Sequence, residues 1–98
     1  MTYVLIFTER YNRCATRFLK RHPEIREQYR KTLLLLQANP HHPSLRMRAL
    51  AGKFAGLHSI SINLSYRITI DFIIREKQIV PINVGDHDAV YRRASAKR

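Results

Sequence analysis

Residues 3 to 7, YVLIF, form a short apolar run rich in strand formers. It ends at Thr8-Glu9, where the threonine hydroxyl can cap a helix. From Tyr11 the apolar period becomes helical: Tyr11, Cys14, Ala15, Phe18 and Leu19 fall at i, i+3, i+4, i+7 and i+8, with the arginines and a lysine mostly opposite. His22-Pro23 breaks this helix, and Pro23 suits the first position of a second one through EIREQYRKTLLLLQ. Ile25, Tyr29 and Leu33 to Leu36 are its expected buried side, Glu27 and Lys31 an expected i, i+4 ion pair, and ANPHHP its end.

From Leu45 the period changes to two, which predicts sheet. Leu45, Met47 and Ala49 alternate with Arg46 and Arg48, and Gly52 and Gly56 then mark a turn. Ile60, Ile62 and Leu64 alternate with Ser59, Ser61 and Asn63, while Tyr66, Ile68, Ile70 and Phe72 alternate with Arg67, Thr69 and Asp71. In QIVPINV the apolar parity is Val80, Ile82 and Val84, and Pro81 points to a bulge or a site outside the hydrogen-bond ladder. The sum is an α+β fold: two N-terminal antiparallel helices on one face of a four-to-five-stranded antiparallel sheet, with a short C-terminal helix or tail. The other sheet face is expected to be polar and open, carrying Arg46, Arg48, Ser59, Ser61, Asn63, Arg67, Thr69 and Asp71.

Length and charge narrow the picture. The 98 residues suit one domain over 1–98, with 93–98 as a basic tail. Eighteen Lys and Arg against seven Asp and Glu give a net charge of +11, a field that attracts nucleic acid more often than an acidic protein or an anionic membrane. The single Cys14 forms no internal disulfide and sits in no zinc-ligand spacing, so a reducing cytoplasm is the expected location. The N-terminal apolar run is too short for a signal peptide or membrane span, so a soluble, unprocessed protein without membrane contact is expected.

The candidate chemistry lies on the polar face and at the end of the last strand. Arg67 is placed among Ser and Asn, where a guanidinium can bind phosphate bidentately and stabilise a pentacoordinate transition state; the alternative is a solvated strand arginine. In GDHDAVYR, His87 titrates near neutrality and is flanked by Asp86 and Asp88, which can orient it or cap a helix. Tyr91 can stack on a base or dock on the core. Arg46, Arg48 and Lys53 are candidate phosphate contacts or ordinary solubilising charges. His58 has apolar parity and is expected to be half-buried, and His41-His42 without a third ligand is a weak metal signal. No Gly-rich phosphate loop, HExxH, GxSxG or paired catalytic carboxylates occur, so any chemistry is expected to need neither metal nor cofactor.

The stretch from Leu45 to Arg92, with L-x-G-x-x-x-G at Leu50–Gly56, S-Y-R-I at 65–68 and G-x-H-x-x-V-Y at 85–91, resembles the RelE/ParE superfamily of bacterial type II toxins. The preceding strand and helices match the family order, so the resemblance covers residues 3 to about 92. For the RelE and YafQ branch it implies an endoribonuclease that cuts mRNA in the ribosomal A site without a metal. The 2′-hydroxyl attacks the adjacent phosphate, leaving a 2′,3′-cyclic phosphate and a 5′-hydroxyl. Arg67 matches the arginine at the scissile phosphate, His87 the catalytic histidine of YafQ-like members, and Tyr91 the aromatic position four residues later. Arg46 and Arg48 match basic positions near the phosphate backbone by position and charge only. Ser61 and Ser65 align where YafQ has a histidine and an aspartate, which leaves the general base unassigned; Ser61 and Asp86 are possible supporting residues. The resemblance also implies an acidic cognate antitoxin, with DNA met only through the antitoxin complex. A ParE-like gyrase inhibitor, an inactive member and a plain basic RNA-binding module are the competing readings.

Overall fold

A computed structural model of the chain describes residues 2–86; the expected C-terminal helix or tail lies outside the described residues. Strand β1, Val4–Leu5, leads to helix α1, Glu9–Arg21. Thr8 caps α1 as its position predicts, its Oγ1 accepting from the Tyr11 N–H at 3.1 Å. Glu9 in the first turn and Lys20 and Arg21 in the last complement the helix dipole. Pro23 begins a 3-10 turn, Pro23–Ile25, that passes into helix α2, Arg26–Ala38.

On α2 two expectations change. Glu27 pairs with Arg30, at 2.6 Å, and not with Lys31, because the guanidinium fork one turn away meets both carboxylate oxygens. That hydrogen bond holds the Glu27 carboxyl below its usual range. Leu36 is fully buried but Leu34 is 54% exposed, since four consecutive leucines go most of the way round a helix and only part of the run faces the sheet. Thr32 takes a buried place instead, its hydroxyl donating to the Gln28 carbonyl at 2.8 Å.

The sheet is five-stranded, in the order β1-β5-β4-β3-β2, with β2 Arg48–Ala49, β3 His58–Ser61, β4 Tyr66–Ile73 and β5 Gln78–Asp86. Four strands are antiparallel neighbours; β1 is the exception and pairs with β5 in parallel. Phe18, Ile60, Ile68, Ile70 and Ile79 fill the core between helices and sheet.

Three strand boundaries depart from the alternation. Leu45 closes a 3-10 turn, Pro43–Leu45, capped by the His42 ring, and Arg46 follows at φ 48, in the left-handed region; β2 is therefore two residues long. β3 ends at Ser61 because the Asn63 side chain accepts from the N–H groups of Ser65 and Tyr66 and closes the hairpin, leaving Leu64 88% exposed. On β5 the register shifts between Thr69 and Ile70: Ile70 faces Pro81 and Thr69 faces Asn83, so Ile82 is the extra residue of a bulge. The bulge expected at Pro81 thus falls one residue later. It reverses the parity of the strand's first half, burying Ile79 and Pro81 and exposing Ile82, while Val84 remains inside. Gly52 and Gly56 take φ 66 and 97 in the β2–β3 connection, a backbone that other side chains rarely adopt.

The helices are joined by a buried bond between the Tyr11 and Tyr29 hydroxyls at 2.7 Å. Burial raises both phenols above the ordinary tyrosine value of about 10. Above that pH the unfolded chain releases protons that the folded chain retains, so stability falls as pH rises. Each tyrosine contributes a slope of up to about 1.4 kcal/mol per pH unit. Urea titrations from pH 8 to 11 should show the decline steeper in wild type than in Tyr11→Phe/Tyr29→Phe, because that double variant removes both groups and leaves no hydroxyl unpaired. Equal slopes would show that the pair does not govern alkaline unfolding.

Candidate functional site

Alternation on the central strand sets the site. Ser61, Arg67 and Gly85 are Cα partners across β3, β4 and β5, and Ser59, Thr69 and Asn83 form the adjacent row. Arg48 on β2 is the partner of Ser59, so Arg48, Ser59, Ser61, Arg67 and Thr69 share one face, as the period predicts. That face is not open around Arg67. Arg67 is 8% exposed, Ser59 fully buried, and Ser61 and Thr69 buried with them.

The guanidinium lies along the sheet and is bonded where it lies. Its Nε donates to Ser59 Oγ at 3.0 Å, and its Nη2 donates to the carbonyls of Arg46, at 2.9 Å, and Ser59, at 3.3 Å. The left-handed turn at Arg46 brings that carbonyl into reach. Arg67 therefore ties the segment before β2 to β3 and β4. These three acceptors are neutral oxygens, and they fix the guanidinium plane in the middle of the sheet.

The other expected residues divide. Arg48 is exposed on the same face as Arg67. Arg46 reaches the site through its backbone carbonyl, and its exposed side chain belongs to the turn and not to a strand. Lys53 stands in a 3-10 turn of the β2–β3 connection, Gly52–Phe54, and no hydrogen bond among the described residues links it to Arg67. Ser61 donates its hydroxyl proton to the Asn63 carbonyl at 2.6 Å, inside the hairpin turn. Asp86 ends β5 opposite Tyr66 and is exposed. His87 and Tyr91 lie outside the described residues. His58 is half-buried as expected, on the opposite face, its ring edge-on to Phe72 at 5.9 Å.

A second basic feature escaped the alternation argument. A cleft of about 570 Å³ runs between α1 and the end of β5, and one wall is Arg10, Arg13, Arg17 and Arg21. Gly85 and Asp86 form part of the other wall. The 3-4-4 spacing of those arginines was the available signal, hidden by their position opposite the apolar stripe, where solvated charges are ordinary.

No protein-family model matches the chain, and no curated protein does. Solved structures do. YafQ from E. coli strain BL21(DE3) superposes with a TM-score of 0.74 at 13% identity, over 91% of this chain and 98% of that one. YafQ in the E. coli DinJ-YafQ toxin-antitoxin complex gives 0.73 at 15%, over 93% and 99%. A substituted form of the E. coli toxin RelE in its free state gives 0.64 at 27% identity, over 99% and 98%. The chain therefore has the fold of the RelE/ParE toxins, shared with YafQ and RelE, and is 27% identical to RelE over nearly the full length of both chains.

Proposed function

We propose that the chain is the toxin of a type II toxin-antitoxin pair and acts as a metal-independent endoribonuclease on mRNA in the ribosomal A site. The observation that carries the reading is the Arg67 guanidinium, fixed by Ser59 and the Arg46 carbonyl on a central strand, one Cα partner away from the strand end that leads to His87. A cation held this way needs little rearrangement when charge builds on a phosphate, which is where electrostatic catalysis is strongest. The fold shared with YafQ and RelE supports the same reading.

In this mechanism the 2′-hydroxyl releases its proton to solvent and its oxygen forms a bond to the adjacent phosphorus while the bond from phosphorus to the 5′-oxygen breaks. Arg67 stabilises the negative charge on the phosphorane oxygens. His87, as imidazolium, gives its proton to the departing 5′-oxygen, and Tyr91 supports the reacting nucleotide. Arg48 binds flanking phosphate. With its hydroxyl committed to the hairpin turn, Ser61 supports the β3–β4 geometry and not proton transfer. The partner is an acidic antitoxin, a role supported by the DinJ-YafQ complex among the structural neighbours.

The test uses purified protein and ribosomes stalled on a defined mRNA, in the presence of EDTA at a level that spares the ribosome's magnesium, with primer extension to map any cut. A cut within the A-site codon, carrying a 2′,3′-cyclic phosphate, is expected. Intact mRNA with folded wild-type protein would defeat the ribonuclease reading, and inhibition of gyrase supercoiling by the same preparation would put a ParE-like action in its place.

A further inference from the structure

The α1 cleft has a composition that the core-facing role of the helix does not call for. Arg10, Arg13, Arg17 and Arg21 repeat at three and four residues, so they stand in one row along about 16 Å of helix axis. All four are exposed. The ion pairs among the described residues, Glu27 with Arg30 and Glu24 with His22, involve none of them. Like charges three and four residues apart destabilise an isolated helix, so the row weakens α1 unless an anion lies along it.

The floor of the cleft decides between an acidic protein and a nucleic acid. Phe18 and Val84, which line it, are 8% and 5% exposed and already belong to the core. They leave almost no apolar area for a protein partner, whose interfaces need a dry centre depleted of charge. Nucleic-acid interfaces are polar and strongly positive, and arginine forks suit phosphate oxygens. The far wall carries Gly85, the cross-strand partner of Arg67, and Asp86, a single carboxylate against the four arginines. The cleft is on the helix side of the sheet, so a strand lying in it must round the end of β5 to reach Arg67 on the opposite face.

We infer that the cleft between α1 and the end of β5 binds the phosphate backbone of a single-stranded RNA that continues from the site at Arg67. The inference rests on the ribonuclease reading for the identity of the RNA, but its test needs no cleavage. Fluorescence anisotropy with a labelled, 2′-O-methylated RNA of twelve nucleotides would compare wild type with Arg13→Gln/Arg17→Gln across a salt series. The control is Arg26→Gln/Arg75→Gln, which removes the same charge at exposed positions elsewhere. Each backbone phosphate neutralised contributes about −0.7 to the slope of log K against log salt. The cleft variant should bind tenfold or more weakly, with a slope shallower by about 1.4, while the control stays within about threefold of wild type.

Equal losses in the two variants would mean diffuse attraction and overturn the inference. So would displacement of the RNA by poly-glutamate at matched charge, which would assign the cleft to an acidic protein. An absent ribosomal cut alongside a selective loss of binding in the cleft variant would defeat the ribonuclease reading alone. A normal cut with unchanged binding would defeat the cleft alone.

Discussion

Arg67→Ala is expected to lose both stability and cleavage, and the two losses have separate causes. Removing the guanidinium strips Ser59 Oγ and the carbonyls of Ser59 and Arg46 of a charged donor, at a site where Ser59 is fully buried. Such a deletion costs about 2–4 kcal/mol, because the acceptors pay desolvation with nothing in return. Cleavage should fall by about 10²- to 10³-fold, the usual effect of removing one donor from a developing oxyanion. Arg67→Lys separates the causes. Lysine keeps the charge but cannot span Ser59 Oγ and the Arg46 carbonyl as a rigid fork, so most of the stability loss should remain. Urea unfolding and single-turnover cleavage at a temperature where every variant is folded are the measurements. Near-normal cleavage by a folded but destabilised Arg67→Ala would make the residue a structural clamp and remove it from the chemistry.

That dual role explains what could and could not be read from the chain. Period-two alternation placed Arg48, Ser59, Ser61, Arg67 and Thr69 on one face, because alternation is a property of the strand itself. It gave no measure of burial around Arg67, which arises when the turn at Arg46 brings its carbonyl onto the guanidinium. The same turn removed Arg46 from β2. Its cause is local but not periodic: the His42 ring accepts from the Ser44 N–H and sets a 3-10 turn through Leu45, so the alternating Leu45, Met47 and Ala49 imitate a longer strand than exists. Pro81 announced a bulge, yet the position of the extra residue depends on how β5 meets β4 across the sheet. The parallel pairing of β1 likewise follows from the chain's path through two helices, which a five-residue apolar run cannot encode.

The helix arginines illustrate a different limit. A face opposite the apolar stripe is where solvated charge belongs, and helical spacing alone puts the four arginines there. Only when α1 is set beside the end of β5, with Cys14 Sγ donating to Asn83 Oδ1 at 3.1 Å and to the Val84 carbonyl at 3.7 Å, does that face acquire a second wall. A solvated stripe then becomes one side of a cleft. The function of such a row depends on tertiary placement, while the row itself is visible in the spacing.

The second large effect is expected from His87→Ala, which should reduce cleavage by about 10²- to 10⁴-fold with no comparable loss of stability. The other imidazoles are committed elsewhere in the fold. His58 is half-buried on the face opposite Arg67 and packs edge-on to Phe72. His41 also packs on Phe72, and His42 is held by Ser44 through its Nδ1. His22 closes α1 and its Nδ1 bonds the Tyr66 hydroxyl at 3.1 Å, on the side of Phe18. His58, His41 and His22 pack against core aromatics and His42 caps the turn before β2, whereas β5 carries the chain past Gly85, the partner of Arg67, to Asp86, one residue before His87. His58→Ala is therefore the informative control, since it deletes an imidazole on the helix side of the sheet and outside the α1 cleft. It should keep cleavage within about threefold of wild type while losing the modest stability of one half-buried ring contact. If His58→Ala proved as inactive as His87→Ala, the proton donor would lie on the helix side of the sheet and the role given to the end of β5 would have to be abandoned.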